Sequence, residues 1–199
     1  MSQYCCERCG KPAPDHDFIY FGPEAGTRLL CTQCFNARVA EKAQIDDFDN
    51  RALEPISLPD VDGVDHVFHF QATLLGPMVV LDAFELMEGK PAGYQFREIG
   101  RPEEERYEQL ARLVQKIRGA LAAKFLQDGP YGPQIRDMEA RGRIESDSSS
   151  EGDLFTQATP LLVIDGRKVS WEEFGRMLMT FEGFQFKLQI SDASDSLDL

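Results

Sequence analysis

The middle of the chain carries short apolar runs of strand length, separated by turn sequences. The runs occupy residues 56–58, 64–70, 78–87 and 94–99. Asp62-Gly63 stands between the first two runs and favours a tight hairpin, and the stretch 88–93 separates the last two. Apolar runs between such turns are typical of consecutive strands, so this region predicts an antiparallel meander.

A helical spacing begins at Pro102 and continues for about 25 residues. Pro102 suits the first turn of a helix, and Gly129-Pro130 suits its end. The apolar positions share one face, which holds Tyr107, Leu110, Leu113, Val114, Ile117, Leu121 and Phe125. The opposite face holds Glu105, Glu108, Arg112 and Lys116. Because Glu108 and Arg112 are four residues apart, we expect that face to be solvated and ion-paired within the helix.

The last part of the chain begins with a second hairpin and a second helix. Residues 161–164 and 168–169 flank Asp165-Gly166, which is again a tight-turn dipeptide. Ser170 and Glu173 have the spacing of a capping box, so a helix is predicted to begin there. Its apolar face holds Trp171, Phe174, Met177, Leu178 and Phe181.

The segment after this helix alternates apolar and polar residues. Gly183 is expected to end the helix, and residues 184–190 place Phe184, Phe186, Leu188 and Ile190 on one side. This alternation predicts a final strand, followed by an acidic tail at 191–199. The polar, acidic stretch 145–159 is expected to be a mobile loop.

The N-terminal segment contains two Cys-x-x-Cys pairs. The four cysteines are Cys6, Cys9, Cys31 and Cys34, and 21 residues separate the pairs. Residues 17–21 and 27–30 are predicted to form a hairpin, and 35–43 to form a helix. Two such pairs bring four thiolates around one ion, a donor set that selects zinc over magnesium or calcium. We therefore predict one structural zinc ion, because four thiolates leave no open position for a catalytic water.

Other ligands and other metals remain open at this site. An iron–sulfur cluster and a redox pair use the same residue type. Cys5 could take the place of Cys6, and it is otherwise a bystander thiol. His16 could also bind the metal ion, because histidine is a common metal ligand. Its acidic and Pro-containing surroundings favour an exposed loop position instead.

The arrangement of the cysteines, hairpin and helix resembles a treble-clef zinc finger over residues 4–45. Treble-clef modules bind proteins, bind nucleic acids or act as structural units, so the resemblance implies a fold and no particular role. Over most of the chain, the cysteine pairs and the ending 163–178 resemble an uncharacterised bacterial family of zinc-binding proteins. That resemblance implies a metal site and no activity.

Composition and charge limit the kinds of partner and the cellular location that the sequence favours. The chain has 199 residues, 42% of them hydrophobic, and a net charge of −13. An acidic surface repels nucleic-acid backbones and anionic membranes. No apolar run reaches the ~18 residues that cross a bilayer, and the first residues do not resemble a secretory signal. With an odd number of cysteines, these observations favour a cytoplasmic protein without a membrane span.

The predicted architecture is α+β. A treble-clef zinc module at 1–45 precedes an α+β domain at 50–190, which has an antiparallel sheet with one long and one short helix. No nucleotide-binding or catalytic motif is evident in the sequence. We therefore expect an interaction or regulatory protein that binds another protein, and we favour this function over an enzymatic one. The sequence leaves the oligomeric state open.

Two further functions have candidate residues. A nucleic acid would be bound through Arg8, Lys11, Arg28 and Arg38. Three aromatic residues could stack on its bases, namely Phe18, Tyr20 and Phe21, but we expect them to form the core of the module. An enzyme site would lie near Asp65, His66 and His69. On a strand, the two histidines point to opposite faces and cannot share one ligand without a bulge.

Overall fold

The computed structural model describes residues 4–22, 28–147 and 159–195. The fold is mixed α and β, with several antiparallel sheets and three α-helices among these residues. No helix in this part of the chain is long and apolar enough to cross a membrane. The predicted boundary between a module at 1–45 and a domain at 50–190 stays a prediction.

The elements follow one another in short succession. The strands are β1 (Phe18–Phe21), β2 (Arg28–Cys31), β3 (Ile56–Pro59), β4 (Asp65–Leu75), β5 (Met78–Met87), β6 (Lys90–Gly100), β7 (Leu126–Gly129), β8 (Gly132–Ile135), β9 (Gly142–Ser146), β10 (Pro160–Ile164) and β11 (Arg167–Ser170). The helices are α1 (Thr32–Ala43), α2 (Arg106–Leu121) and α3 (Trp171–Leu178), and short 3₁₀ turns occupy Asp15–Asp17 and Met179–Phe181. Strands β3-β4-β5-β6 form the meander, β11-β10-β9 form a three-stranded sheet, and β1-β2 and β7-β8 are hairpins.

Helix α2 packs on the meander and builds the main core. Leu113, Ile117 and Leu121 are almost completely buried against the sheet, where they meet Phe68 and Leu81. Burial of each such side chain contributes on the order of 2 kcal/mol to folding, so the apolar face predicted for this helix is what attaches it to the sheet.

Helix α2 is shorter than its sequence spacing predicts. The Asp165 carboxylate accepts hydrogen bonds from the backbone N–H groups of Phe125 and Leu126, at 2.9 and 2.7 Å, and these bonds hold the chain where β7 begins. Gly129-Pro130 therefore starts the turn between β7 and β8 and does not end a helix. The carboxylate that decides this point comes from 40 residues further along the chain.

The charged face of α2 is paired with the sheet and not within the helix. Arg112 forms ion pairs with Glu98 of β6 and with Glu104, and Lys116 lies 2.6 Å from Glu98. Burial disfavours the Glu98 carboxylate, but its hydrogen bonds to Arg112 and Lys116 outweigh that effect and lower its pKa. The predicted pair between Glu108 and Arg112 is therefore replaced, because β6 supplies a better-placed acid.

The C-terminal elements form a second small core. Leu126, Ile164, Val169 and Met177 are buried together, and Phe174 packs against them. The capping box at Ser170 and Glu173 is present and begins α3.

The final strand predicted at residues 184–190 does not form. These residues have no regular secondary structure, and Phe184, Phe186, Leu188 and Ile190 are all exposed. Alternation alone cannot make a strand, because a strand needs a neighbour to receive its backbone hydrogen bonds. Of the loop predicted at 145–159, residues 145–146 belong to β9, and 148–158 lie outside the described residues, as do residues 196–199 of the tail.

The N-terminal elements lie against β4 through a buried asparagine on α1. Strand β3 pairs with β4 only as far as Phe68, so no described strand covers the outer edge of β4 beyond that residue. The Asn36 side-chain amide donates to the Ala72 carbonyl at 2.7 Å and accepts from the Leu74 N–H at 2.9 Å. One side chain thus satisfies both backbone groups that a neighbouring strand would otherwise pair.

Asn36→Ala is expected to lower the free energy of unfolding by about 2 kcal/mol, because two buried backbone groups lose their partners. The measurement is chemical denaturation monitored by circular dichroism. Gln33→Ala removes an exposed amide from the same helix, whose bond to the Asn50 carbonyl is long at 3.4 Å, and serves as the control. Equal losses of stability in the two variants would contradict the edge-capping role of Asn36.

Candidate metal centre

The structure brings the four cysteines of the two pairs together. The sulfur atoms of Cys6, Cys9, Cys31 and Cys34 all lie within 4.8 Å of one another, and all five cysteines of the chain are free thiols. Four sulfurs around one ion at a metal–sulfur distance of 2.3 Å would stand about 3.8 Å apart, so only a small contraction of this cluster is needed. The donor set therefore fits a tetrahedral metal ion.

The first knuckle is a tight turn that contains Cys6 and Cys9. The Gly10 N–H donates to the Cys6 carbonyl at 2.8 Å, and the Cys6 N–H donates to the Lys11 carbonyl at 3.0 Å. Gly10 has a φ of +70°, which glycine adopts without steric cost. This backbone conformation turns both sulfurs to the same side.

The second knuckle lies where the hairpin meets α1. Cys31 is the last residue of β2 and the N-cap of α1, and Cys34 lies in the first turn of that helix. The N-terminus of a helix carries partial positive charge, which favours thiolates at both positions.

Hydrogen bonds between the knuckles fix their separation. The Glu7 N–H donates to the Leu29 carbonyl, and the Leu29 N–H donates to the Glu7 carboxylate, both at 3.0 Å. The Arg8 guanidinium donates to the Cys34 carbonyl at 3.1 Å. Neither pair of cysteines can move far without breaking these bonds.

The four thiols differ in how easily they ionise. Burial opposes ionisation of Cys6, but backbone hydrogen bonds at Cys31, Cys9 and Arg8 outweigh it and lower the pKa to about 6. Burial raises the pKa of Cys31 and that of Cys34, and at Cys34 the neighbouring thiols raise it further. Several thiolates in so small a space repel one another, and a bound divalent cation removes that obstacle.

Cys5 and His16 are not members of this cluster. Cys5 is exposed and lies opposite Pro12 in an isolated β-bridge. His16 is not the exposed loop residue that its sequence surroundings predict. It lies in the 3₁₀ turn before β1, and its ring packs against His69 and Phe84 at centroid distances of 5.8 and 5.5 Å.

The basic residues of the module are partly engaged in its own structure. Arg8 holds the Cys34 carbonyl, and the Arg38 guanidinium lies 5.0 Å from the ring centroid of Phe21. The aromatic residues of β1 do not all enter the core as predicted. Tyr20 is 73% exposed, because it projects away from the cluster that Phe18 and Phe21 contact.

His66 and His69 contact different parts of the molecule. His69 stacks on Phe84, beside His16. His66 is mostly buried and lies between two carboxylates, with Nδ1 2.8 Å from Glu85 and Nε2 3.3 Å from Asp60. Both ring nitrogens thus lie within hydrogen-bond distance of a carboxylate oxygen. Asp65, the third residue of that hypothesis, is exposed at the start of β4.

A β-bulge holds the Glu85 carboxylate in place. The register of β5 and β6 shifts after Phe84, and the Tyr94 N–H donates to the second Glu85 oxygen at 2.7 Å. Gly93 has a φ of +60°, and a Cβ there would lie 2.2 Å from that oxygen, so the bulge requires glycine.

Asp60 connects the same cluster to the end of α2. Its carboxylate lies 2.6 Å from Lys124 and accepts from the N–H groups of Asp62 and Val64. The hydrogen bond with Lys124 holds the Asp60 pKa well below its usual range despite burial. No periodicity in the sequence indicated this cluster, since its members come from separate elements.

Three segments of the chain match families defined without a function. Residues 5–46 match the family model "Domain of unknown function (DUF7685)", residues 49–122 match "Domain of unknown function (DUF7686)", and residues 125–195 match "Domain of unknown function (DUF7713)". The first segment contains the four cysteines, the second the meander with α2, and the third β7 to α3. No curated protein and no solved structure matches the chain.

The stability of the protein is expected to fall as the pH decreases below about 6.5, the ordinary pKa of histidine. Burial and the neighbouring His69 lower the pKa of His16, so the unfolded chain binds the proton more readily than the folded one. The contribution of neutral His16 to the free energy of unfolding is therefore present at higher pH and is lost on acidification. The measurement is denaturant unfolding at a series of pH values.

His16→Gln removes the titrating group and is expected to flatten this part of the profile. His69→Gln removes only the smaller of the two causes, so it is expected to keep most of the pH dependence. A profile that is unchanged in His16→Gln would contradict this assignment.

Proposed function

We propose that Cys6, Cys9, Cys31 and Cys34 bind one structural zinc ion. The supporting observation is the cluster of four sulfurs within 4.8 Å, built on two knuckles whose backbones are already joined. Thiolate ligands in a tetrahedral arrangement favour zinc or an iron–sulfur centre over hard cations, and four thiolates complete the coordination of zinc. The proposal includes a treble-clef fold for the segment that holds the cysteines. It also includes membership of the chain in a bacterial family of zinc-binding proteins.

The metal has a structural role in this proposal. The apolar core beneath the cysteines is small, and its fully buried members besides the cysteines are Leu30 and Phe35. A structural zinc ion contributes on the order of 10 kcal/mol to folding, which exceeds what so few buried side chains supply. The reduced thiols fit a cytoplasmic location, where disulfides are rare.

The zinc-stabilised chain acts by binding another protein molecule. The observation that carries this proposal is the apolar segment Phe184 to Ile190, whose four apolar side chains are 64–91% exposed. Exposed apolar patches of this kind mark binding surfaces on soluble proteins. At the alternative enzyme site, the two ring nitrogens of His66 lie against the carboxylates of Asp60 and Glu85.

Nucleic-acid binding is the second candidate, favoured by one observation. Tyr20 is exposed on the hairpin, and Arg28 is exposed on the neighbouring strand, so an aromatic ring and a cation are both available to a single strand. The net charge of −13 opposes this function, and Arg8 and Arg38 are occupied within the module.

Purified protein is expected to contain one zinc ion per chain, and Cys6→Ser is expected to lose it. The reason is that serine does not replace a thiolate ligand of zinc. Cys5→Ser changes the adjacent but exposed thiol and is expected to keep the metal, so it is the matched control. Elemental analysis and thermal unfolding of both variants are the measurements. A metal-free wild-type protein, or equal zinc content in the two variants, would refute the site.

Crosslinking of the native protein, followed by mass spectrometry, is expected to join residues next to the segment 184–190 to another polypeptide. Lys187 and the nearby Glu182 provide reactive groups. Phe186→Ser is expected to reduce these crosslinks at least about tenfold, because it removes the most exposed apolar ring. Gln185→Ser is the control on the polar side of the segment. Salt-sensitive binding to single-stranded nucleic acid without any protein crosslink would favour the second candidate instead.

A further inference from the structure

The segment 184–190 exposes more apolar surface than a folded chain ordinarily leaves unpaired. Phe184 and Phe186 are 64% and 91% exposed, and Leu188 and Ile190 are 74% and 71% exposed. Together these side chains offer on the order of 500 Å² of apolar surface, which is near the upper end for a monomeric protein. The only charged residue within the segment is Lys187.

Most of the backbone of the same segment is also unpaired in the described part of the chain, although the Phe184 N–H donates to the Phe181 carbonyl at 2.9 Å. Among the described residues, 185–191 form no backbone hydrogen bond and no side-chain hydrogen bond. Alternating side chains and unpaired N–H and C=O groups are together what a strand needs in order to join the edge of a sheet.

The fold contains an open sheet edge of matching length. In the part of the chain that the structure describes, strand β9 lies at the end of the sheet β11-β10-β9 and pairs with β10 alone. The Asp147 N–H donates to the Thr159 carbonyl of the neighbouring strand segment, and hydrogen bonding alternates along an antiparallel pair. The backbone groups of Gly142, Ile144 and Ser146 therefore face outward, away from β10.

The middle residue of β9, Ile144, is apolar and exposed. Ile144 is 58% exposed and lies directly opposite Leu162 of β10, so both side chains are on one face. Leu162 packs against the core that contains Ile164 and Met177. A strand added beside β9 with apolar residues on this face would continue that core across Ile144.

We propose that residues 184–190 of one copy of the chain add to the β9 edge of a second copy as a fourth strand. This inference rests on the proposed protein-binding function and names the partner. In the antiparallel register that places Leu188 opposite Ile144, Lys187 comes opposite Glu145 and Gln189 opposite Arg143. No like charges then meet, and Lys187 gains an acid.

The segment is attached at both ends to other elements of its own chain. The ring of Phe184 packs on Phe181, and the Lys116 ammonium of α2 donates to the Ser194 carbonyl. These attachments leave the stretch between them to a second copy. Reciprocal addition uses each segment and each edge once, which gives a closed two-fold dimer.

The test is the oligomeric state of the full chain, measured by sedimentation over a range of concentrations. Wild-type protein is expected to form dimers. Leu188→Asp is expected to weaken dimerisation at least about tenfold, because it places a charge in the added core. Gln189→Asp introduces the same charge on the other face, beside Arg143 in the proposed register, and is expected to leave the dimer intact. A wild-type chain that stays monomeric at its highest soluble concentration, or equal effects of the two substitutions, would overturn the proposal.

The edge is tested by a complementary variant. Ile144→Pro removes an outward N–H without removing a hydrogen bond to β10, and it is expected to abolish dimers on its own. Mixing this variant with Leu188→Asp leaves one intact segment and one intact edge, so heterodimers weaker than the wild-type dimer are expected. Failure of the mixture to associate, although both variants fold by circular dichroism, would contradict the pairing of this segment with this edge.

Hydrogen exchange provides a readout that needs no substitution. The amides of residues 185–191 are expected to become protected as the concentration of wild-type protein rises, and unchanged exchange would count against the proposal. Crosslinks from the segment to a different polypeptide, with a monomeric wild-type chain, would refute self-association and leave the protein-binding function in place. A monomer without any crosslink would refute both.

Discussion

The close approach of four cysteine sulfurs is the constraint on which the N-terminal part of this molecule depends. Four thiols lie within 4.8 Å of one another, and two hydrogen bonds between Glu7 and Leu29, one to the Leu29 carbonyl and one to the Glu7 carboxylate, hold the knuckles together. A divalent cation at the centre would favour the ionised form of these thiols and offset the repulsion between the thiolates. The second pair of cysteines lies at the end of β2 and in the first turn of α1, the same helix that contacts β4 through Asn36.

Buried polar groups, more than apolar contacts alone, connect the parts of the chain. Asn36 joins α1 to the edge of β4, Asp165 joins the second hairpin turn to the start of β7, and Asp60 joins the turn before β4 to Lys124. Each of these groups is expensive to bury without partners, so each contact specifies one relative placement of its elements. The chain therefore combines three small cores whose mutual positions depend on hydrogen bonds.

Much exposed apolar surface is concentrated in one segment near the end of the described chain. The segment 184–190 carries alternation suited to a strand, but no strand among the described residues pairs with it. We propose protein binding and strand addition because a segment with the apolar alternation of a strand is exposed to solvent and forms no strand. The physical basis of both proposals is general, because unpaired backbone and exposed apolar side chains are both stabilised when a neighbouring strand is supplied.

The sequence by itself determined what depends on local spacing. It placed the four cysteines in two pairs, predicted the run 78–87 that forms β5, and located the capping box at Ser170. Only the tertiary structure decided which distant groups meet. It ended α2 early through Asp165, paired Arg112 with Glu98 and packed His16 against His69, and among the described residues it gave 184–190 no neighbouring strand. Periodicity records which face of an element is apolar, whereas the partner of a polar side chain or of a strand edge comes from elsewhere in the chain.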